Sequence, residues 1–394
     1  MSPVQGPPSA AIALAGATIY VSPTAPPIHN GIVLIENGTI VAVGSKATVA
    51  IPADAQRLDC SGMTLTAGFW NSHVHFFERK WADAATIPAP ELARQLAHSL
   101  TRYGFTSVFD LSSAWENTRE LRARIDSGEV PGPTIRSTGE GLIPIGGLPP
   151  DLVLAMMGLM KTPLPEIGDA AEASAAAKQL LDRGADGIKL FASSQRGTAL
   201  SEETMRAAID EAHRADKPAF VHPNSSADVL AALRAGADVI AHTTPSSKSW
   251  DDAILALVHE RKPALTPTLT LWKSTMRHDR VSAQDQFVDA AIGELRAWIA
   301  AGGRVLFGTD LGAVDPDPAE EYVLMQNAGM SFAQILASLT TTPAEQFGSA
   351  KRKGRVAVGF DADLVVLGGD PSKDVRALTS VQYTLRAGRI IYQP

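Results

Sequence analysis

Residues 67–78, AGFWNSHVHFFE, set His73 and His75 two apart where an apolar run ends. Side chains at i and i+2 of a strand share a face, so both imidazoles project from the same side of a strand tip. Two rings so placed can hold one divalent ion at roughly 2.0–2.1 Å each. Four other apolar runs end on groups of comparable chemistry. They are Lys189 in GIKLFAS, His222 in AFVHPNS, His242 in VIAHTTP and Asp310 in VLFGTDLG. Each has an ordinary explanation by itself: a snorkelling or salt-bridged lysine, two satisfied core histidines, a helix cap. A lone ammonium in an apolar strand is nonetheless costly to bury unless paired or neutralised. Their joint occurrence at the same end of successive strands favours a metal site over coincidence.

The elements that must carry these groups follow a repeated grammar. RYGFTSVFD (102–110), DRGADGIKL (182–190), RAGADVIAH (234–242) and AGGRVLFGTD (301–310) each end a helix at a glycine and then enter a short apolar strand. Further strands fit LTAGFWNSHVHF, PGPTIRSTGEG, KPAFVHPN and RKPALTPTLT. Helical stretches such as AAEASAAAKQLLD, SEETMRAAIDEAHR and SADVLAALRAG lie between. The expected fold is α/β, a (β/α)8 TIM barrel over 67–349, with chemistry at the carboxyl ends of the strands. An open doubly wound sheet is the runner-up, but no G-x-G-x-x-G follows the first strand. Both ends of the chain read as short strands with Gly, Asn and Asp turns, ENG between IVLI and TIVAV being a hairpin signal. Residues 10–66 plus 350–394 are therefore expected to form one small β-sandwich domain, and 1–9 a loose end.

Composition narrows the function classes. The net charge of -7 and the lack of a Lys/Arg stripe exclude a nucleic-acid partner, and no apolar run reaches the roughly 18–20 residues of a membrane span. Cys60 is the only cysteine, so an intramolecular disulfide is excluded and thiolate ligands for a metal are scarce. The first basic residue is Lys46, so no charged signal-peptide region is visible. The cytoplasm is the expected location, with the periplasm or secretion open if a signal has been removed.

With these residues in hand, the chain resembles the amidohydrolase superfamily. HVH, GADGIKLF, FVHPN, VIAHTT and GTD look like its metal-binding set, nearest to the imidazolonepropionase-like and prolidase-like branch with a binuclear centre. The terminal run GRVAVGFDADLVVLGGDP is similar to the phrase that closes that family's β-sandwich. A metallo-β-lactamase-like site, the rival for H-x-H, needs an Asp-His pair soon after, which HVHFFE does not supply. The resemblance implies that His73, His75 and Asp310 bind a buried metal and that His222 and His242 bind a second. It implies two divalent ions, zinc foremost, bridged by Lys189 as a carbamate formed with CO2. The modification is required because a protonated lysine offers no lone pair to a cation. Imidazolonepropionase and the deaminases work with one metal, so Lys189 favours a two-metal hydrolase. The implied mechanism uses a shared hydroxide, with Asp310 as general base and acid and His242 helping to polarise the scissile carbonyl. One departure is visible: Asn71 stands where the family commonly has Asp two residues before the first His.

Substrate contacts are expected from loops after the strands. FFERKWADAA offers Arg79, Lys80 and Trp81; LTLWKSTMRHDR offers Trp272, Lys273, Arg277 and His278; residues 139–165 read as an apolar lid. Aromatic lining with a nearby cation fits a dipeptide or N-acyl amino acid, so a metal-dependent amidohydrolase or peptidase acting on a small molecule is expected. A lactonase or organophosphate hydrolase is the alternative, and a non-catalytic scaffold a more distant one. A homo-oligomer is compatible with the sequence.

Overall fold

The computed structural model describes residues 11–147, 164–194, 197–247, 249–276 and 281–394. Strands from both ends of the chain share one sheet. Ile12–Ile19 pairs with Ile28–Glu36, which turns at Asn37 and Gly38 into Thr39–Ser45. From the other end, Leu364–Leu367 pairs with Thr64–Ala67 and continues to Val381–Arg386 and Arg389–Tyr392. Alternate residues supply a buried face of Leu14, Val33, Ile40, Leu65, Val366 and Leu385.

The segment LTAGFWNSHVHF is two strands rather than one. Thr64–Ala67 belongs to the terminal sheet, and β1 (Phe69–Val74) starts a parallel sheet. The break falls at Gly68, where a Cβ would lie 2.2 Å from Thr106 Oγ1. Only a residue without a side chain can cross there between the sheets.

The main parallel strands form two sheets, beside a short parallel pair of Ile143–Pro144 and Glu166–Ile167. One contains β1, β2 (Phe105–Asp110) and β3 (Thr134–Ser137). The other contains β4 (Ile188–Phe191), β5 (Ala219–His222), β6 (Val239–Ala241), β7 (Ala264–Thr266) and β8 (Arg304–Val305). Backbone hydrogen bonds link both pairs of facing edges. Leu142 N donates to Lys189 O at 2.8 Å on one side; Ser72 N donates to Phe307 O at 2.7 Å and Asp310 N to His73 O at 2.9 Å on the other. Trp70, Phe109, Phe220, Val239, Ala264 and Leu306 form one apolar cluster, so the two sheets face a common interior layer. Strands buried on both faces read as nearly continuous apolar runs, as these do.

The helices between them are α1 (Ala89–Ser99), α2 (Trp115–Asp126), α3 (Ala170–Asp182), α4 (Glu202–Arg214), α5 (Ser226–Ala235), α6 (Asp252–Arg261), α7 (Leu269–Thr275), α8 (Val281–Ala300), α9 (Ala319–Asn327), α10 (Phe332–Leu339) and α11 (Thr341–Gln346). Local chemistry starts and stops several of them: a Ser225/Asp228 capping box opens α5, and Gly236 at φ 105° ends it. Helix α7 is a correction, since LTLWKST read as loop. Among the described residues no helix is long and apolar enough to cross a membrane.

Candidate metal centre

His73, His75, Lys189, His222, His242 and Asp310 all line one pocket of about 110 Å³, and all are buried. Strand β1 shifts register against β2 between Asn71 and Val74. The shift lets Trp70 point into the apolar layer while His73 and His75 point into the pocket. Asn71 ties this strand to the turn that carries Asp310. Its Nδ2 donates to Thr309 Oγ1 at 2.8 Å, and its Oδ1 accepts from His73 N at 3.3 Å and Thr309 N at 3.2 Å. That tie uses a donor and an acceptor, both of which an amide carries.

His73, His75 and Asp310 bring their ligand atoms within 4.8 Å of one another. Asp310 Oδ1 is 3.2 Å from His73 Nε2 and 2.8 Å from His75 Nε2. Neither approach has hydrogen-bond geometry, so His73 Nε2 and Asp310 Oδ1 are buried without a partner. Buried polar atoms are otherwise almost always satisfied. Two imidazole nitrogens and a carboxylate oxygen converging on one point suit a borderline cation such as zinc. His242 joins the set through ring contacts of 4.6 Å to His73 and 4.5 Å to His222.

Hydrogen bonds fix which nitrogen of each remaining ring faces the pocket. Asn224 Nδ2 donates to Ser193 O at 2.8 Å, which turns its Oδ1 to His222 Nε2 at 3.3 Å. His222 Nε2 therefore bears the proton, and Nδ1 carries the lone pair. Thr268 Oγ1 spends its proton on Pro267 O at 2.9 Å and so accepts from His242 Nδ1 at 2.6 Å. His242 thus presents the Nε2 lone pair. Outer partners of this kind are what orient metal-binding imidazoles.

Charge states agree with that arrangement. Burial pushes His73 and His222 down to about 3 and His242 well below the usual histidine range, so the rings are neutral. Burial by itself would raise Asp310, but the charge that His73 gains when it takes up a proton in acid outweighs it and holds the carboxyl well below its ordinary value. Burial pushes the Lys189 amine down to about 7 against the pull of Asp310. No carboxylate of the described residues lies within 4.0 Å of its Nζ, which sits 5.4 Å from the Phe191 ring.

The backbone is strained at the same place. Ser112, His242, Thr268 and Asp310 adopt φ values of 85°, 84°, 46° and 63°, a left-handed region that L-residues enter at a cost. Gly308 is needed for another reason, because a Cβ there would lie 2.8 Å from His73 Cβ and 3.1 Å from Thr266 Cβ. Gly308→Ala is therefore expected to weaken metal binding by about tenfold or more, read by chelator competition. Gly293→Ala, with open space at that position, is the control and should leave affinity unchanged.

The loop residues divide. Trp272 lines the pocket, its Nε1 donating to Thr243 Oγ1 at 2.7 Å. Trp81 is fully buried in the core beside Phe76, with Nε1 on Glu78, and has no face in the pocket. Lys273 is exposed and paired with Glu320, and Lys80 pairs with Glu78 at 2.9 Å. Arg277, His278 and most of the lid, residues 148–163, lie outside the described residues. Sequence reasoning missed Phe77, Phe191 and Asn224, which also line the pocket. Each stands two residues after a candidate ligand, so the same alternation that singled out His75 could have found them.

Residues 64–391 match the amidohydrolase family, and the chain belongs to it. Membership implies a TIM-barrel fold and a small-molecule substrate, and the family typically uses metal ions. The chain is a hydrolase acting on carbon–nitrogen bonds. Ochratoxinase of Aspergillus niger is 24% identical over 93% of this chain and 84% of its own length. Imidazolonepropionase of Thermoplasma acidophilum is 24% identical over 92% and 90%. Among solved structures, a prolidase complexed with N-methylphosphonate-L-proline has a TM-score of 0.80 at 25% identity, covering 98% of this chain and 100% of that one. A Xaa-Pro dipeptidase with bound methionine has a TM-score of 0.83 at 20% identity, with the same coverage.

Proposed function

We propose that the chain is a binuclear metal-dependent hydrolase that cleaves the amide bond of a dipeptide or N-acyl amino acid with an apolar or aromatic acyl group. The proposed architecture is a closed (β/α)8 barrel over 67–349 with a β-sandwich from 10–66 and 350–394. The observation that carries the functional reading is the convergence of His73 Nε2, His75 Nε2 and Asp310 Oδ1, with His73 Nε2 and Asp310 Oδ1 lacking hydrogen-bond partners, beside a buried lysine that has no carboxylate partner among the described residues.

His73, His75 and Asp310 would hold one divalent ion, His222 Nδ1 and His242 Nε2 a second, with Lys189 between them. Zinc is the proposed metal. Such ions supply Lewis acidity to the scissile carbonyl and lower the pKa of a water toward neutrality. Lys189 reaches its bridging form when its neutral amine attacks the carbon of CO2. A C–N bond forms, one N–H proton leaves, and the side chain ends in two oxygens sharing a negative charge.

Asp310 turns Oδ1 to the imidazoles and keeps Oδ2 for proton transfer. It accepts the proton of the attacking water and returns it to the leaving nitrogen as the C–N bond breaks. His242 is neutral with its lone pair turned inward, which makes it a ligand on the carbonyl side rather than a proton donor. Phe77, Phe191, Leu271 and Trp272 form the apolar wall that would receive the acyl group. Phe77 stacks on His75 at 4.7 Å and 26°, which extends that wall to the edge of the metal centre.

A substrate panel tests this reading. The zinc-loaded chain should turn over aromatic N-acyl amino acids or dipeptides far faster than lactones or phosphotriesters. A preference for either of the latter classes would defeat it. Trp272→Ala should raise KM for aromatic acyl substrates by about tenfold, the loss expected of one apolar contact surface, with kcat little changed. An equal rise for small acyl groups would remove Trp272 from the acyl wall.

A further inference from the structure

Glu321, on the outer helix α9, is fully buried yet pairs with no cation among the described residues. Its carboxylate is spent on the first residues of α7. Oε1 accepts from Leu269 N at 2.8 Å, and Oε2 accepts from Thr270 N at 2.8 Å and Thr270 Oγ1 at 2.9 Å. Those N–H groups are the first donors of α7, which have no partner within their own helix. The residue before a helix usually satisfies them with its side chain. Here that residue is Thr268, which makes no cap bond and stands at φ 46°, ψ 49°.

A left-handed conformation is rare for a β-branched residue and costs on the order of 1–3 kcal/mol unless its surroundings hold it. What Thr268 does with the conformation is described above: its hydroxyl accepts from His242 Nδ1. The same short helix carries Leu271, Trp272 and Thr275 into the pocket wall. On the other flank Glu294 of α8, also buried, accepts from Thr244 N at 2.6 Å and Thr244 Oγ1 at 3.3 Å, two residues past His242. Buried carboxylates on two neighbouring outer helices thus grip the backbone on either side of the His242–Thr268 contact.

Resting on the metal-centre reading above, we propose that Glu321 is a positioning residue. By capping α7 from a neighbouring helix it releases Thr268 to fix the tautomer of His242 and sets Trp272 in the acyl wall. It touches neither the reacting atoms nor a ligand.

The test reads the imidazole directly. Long-range 15N–1H NMR of metal-free, 15N-histidine-labelled full chain separates the two neutral tautomers, and His242 should be in the Nδ1–H form. Glu321→Gln keeps the shape but offers one acceptor oxygen where three donors converge. It should depopulate that tautomer, weaken the second zinc ion by about 10–100-fold and raise KM for aromatic acyl substrates more than it lowers kcat. If Glu321→Gln does not fold, Thr270→Val, which removes only the hydroxyl contact, should give a smaller shift of the same kind. Either folded variant showing an unchanged His242 tautomer and second-ion affinity, with only a lowered Tm, overturns the proposal. His242 in the Nε2–H form in the unsubstituted chain would overturn both this inference and the reading of the metal centre.

Discussion

Asp310→Asn should lower kcat for the preferred amide by about a thousandfold or more while the chain stays folded. The substitution is nearly isosteric, so the turn that holds residue 310 at φ 63° has no steric reason to change. Chemically it removes both functions proposed for the residue at once. Asp310 Oδ1 stands 3.2 Å from His73 Nε2 and 2.8 Å from His75 Nε2, and an amide there supplies a neutral oxygen or an NH2 group in place of a charged ligand. The other oxygen loses its capacity to accept and return a proton, a contribution worth about 10²–10⁴ in rate. Steady-state kinetics with circular dichroism on the same samples decide the matter. A folded Asp310→Asn enzyme with ordinary turnover would refute the assigned role.

Lys189→Met should have an effect of similar size through a different loss. Methionine fills nearly the same buried space without an amine, so the strand should pack as before. The second ion should be lost and kcat should fall by about a thousandfold, because the proposed anionic bridge would become a thioether. The unsubstituted lysine adds a pH signature. Its amine titrates at about 7, so it is protonated and without a lone pair below that value and neutral above it. Activation of the metal-free chain by zinc and bicarbonate should therefore increase as pH rises from 6 to 8. Equal activation at both ends of that range, or none of it dependent on CO2, would count against the carbamate.

Much of this site was legible because its signals are local. The i, i+2 spacing of His73 and His75, and the glycine that precedes each of four strands, depend on neighbours a few residues away. What escaped the sequence depends on partners far along the chain. Asn71 meets Thr309 across 238 residues, and Glu321 reaches back 51 residues to make a helix of a segment that reads as loop. Trp81 and Trp272 show the same limit in another form. Both are aromatics in segments that follow strands one and seven, and their type suits a core or a pocket wall equally. Packing against Phe76 sends Trp81 to the core, while the hydroxyl of Thr243 fixes Trp272 at the pocket. Lys273, whose type suits a clamp, pairs with Glu320 from 47 residues away.

Zinc content measured on chains prepared with bicarbonate tests the centre most directly. The unsubstituted protein should carry two ions per chain, and Lys189→Met should keep one, held by His73, His75 and Asp310. A parent chain that binds one ion or none, or a Lys189→Met chain that still binds two, would contradict the binuclear account.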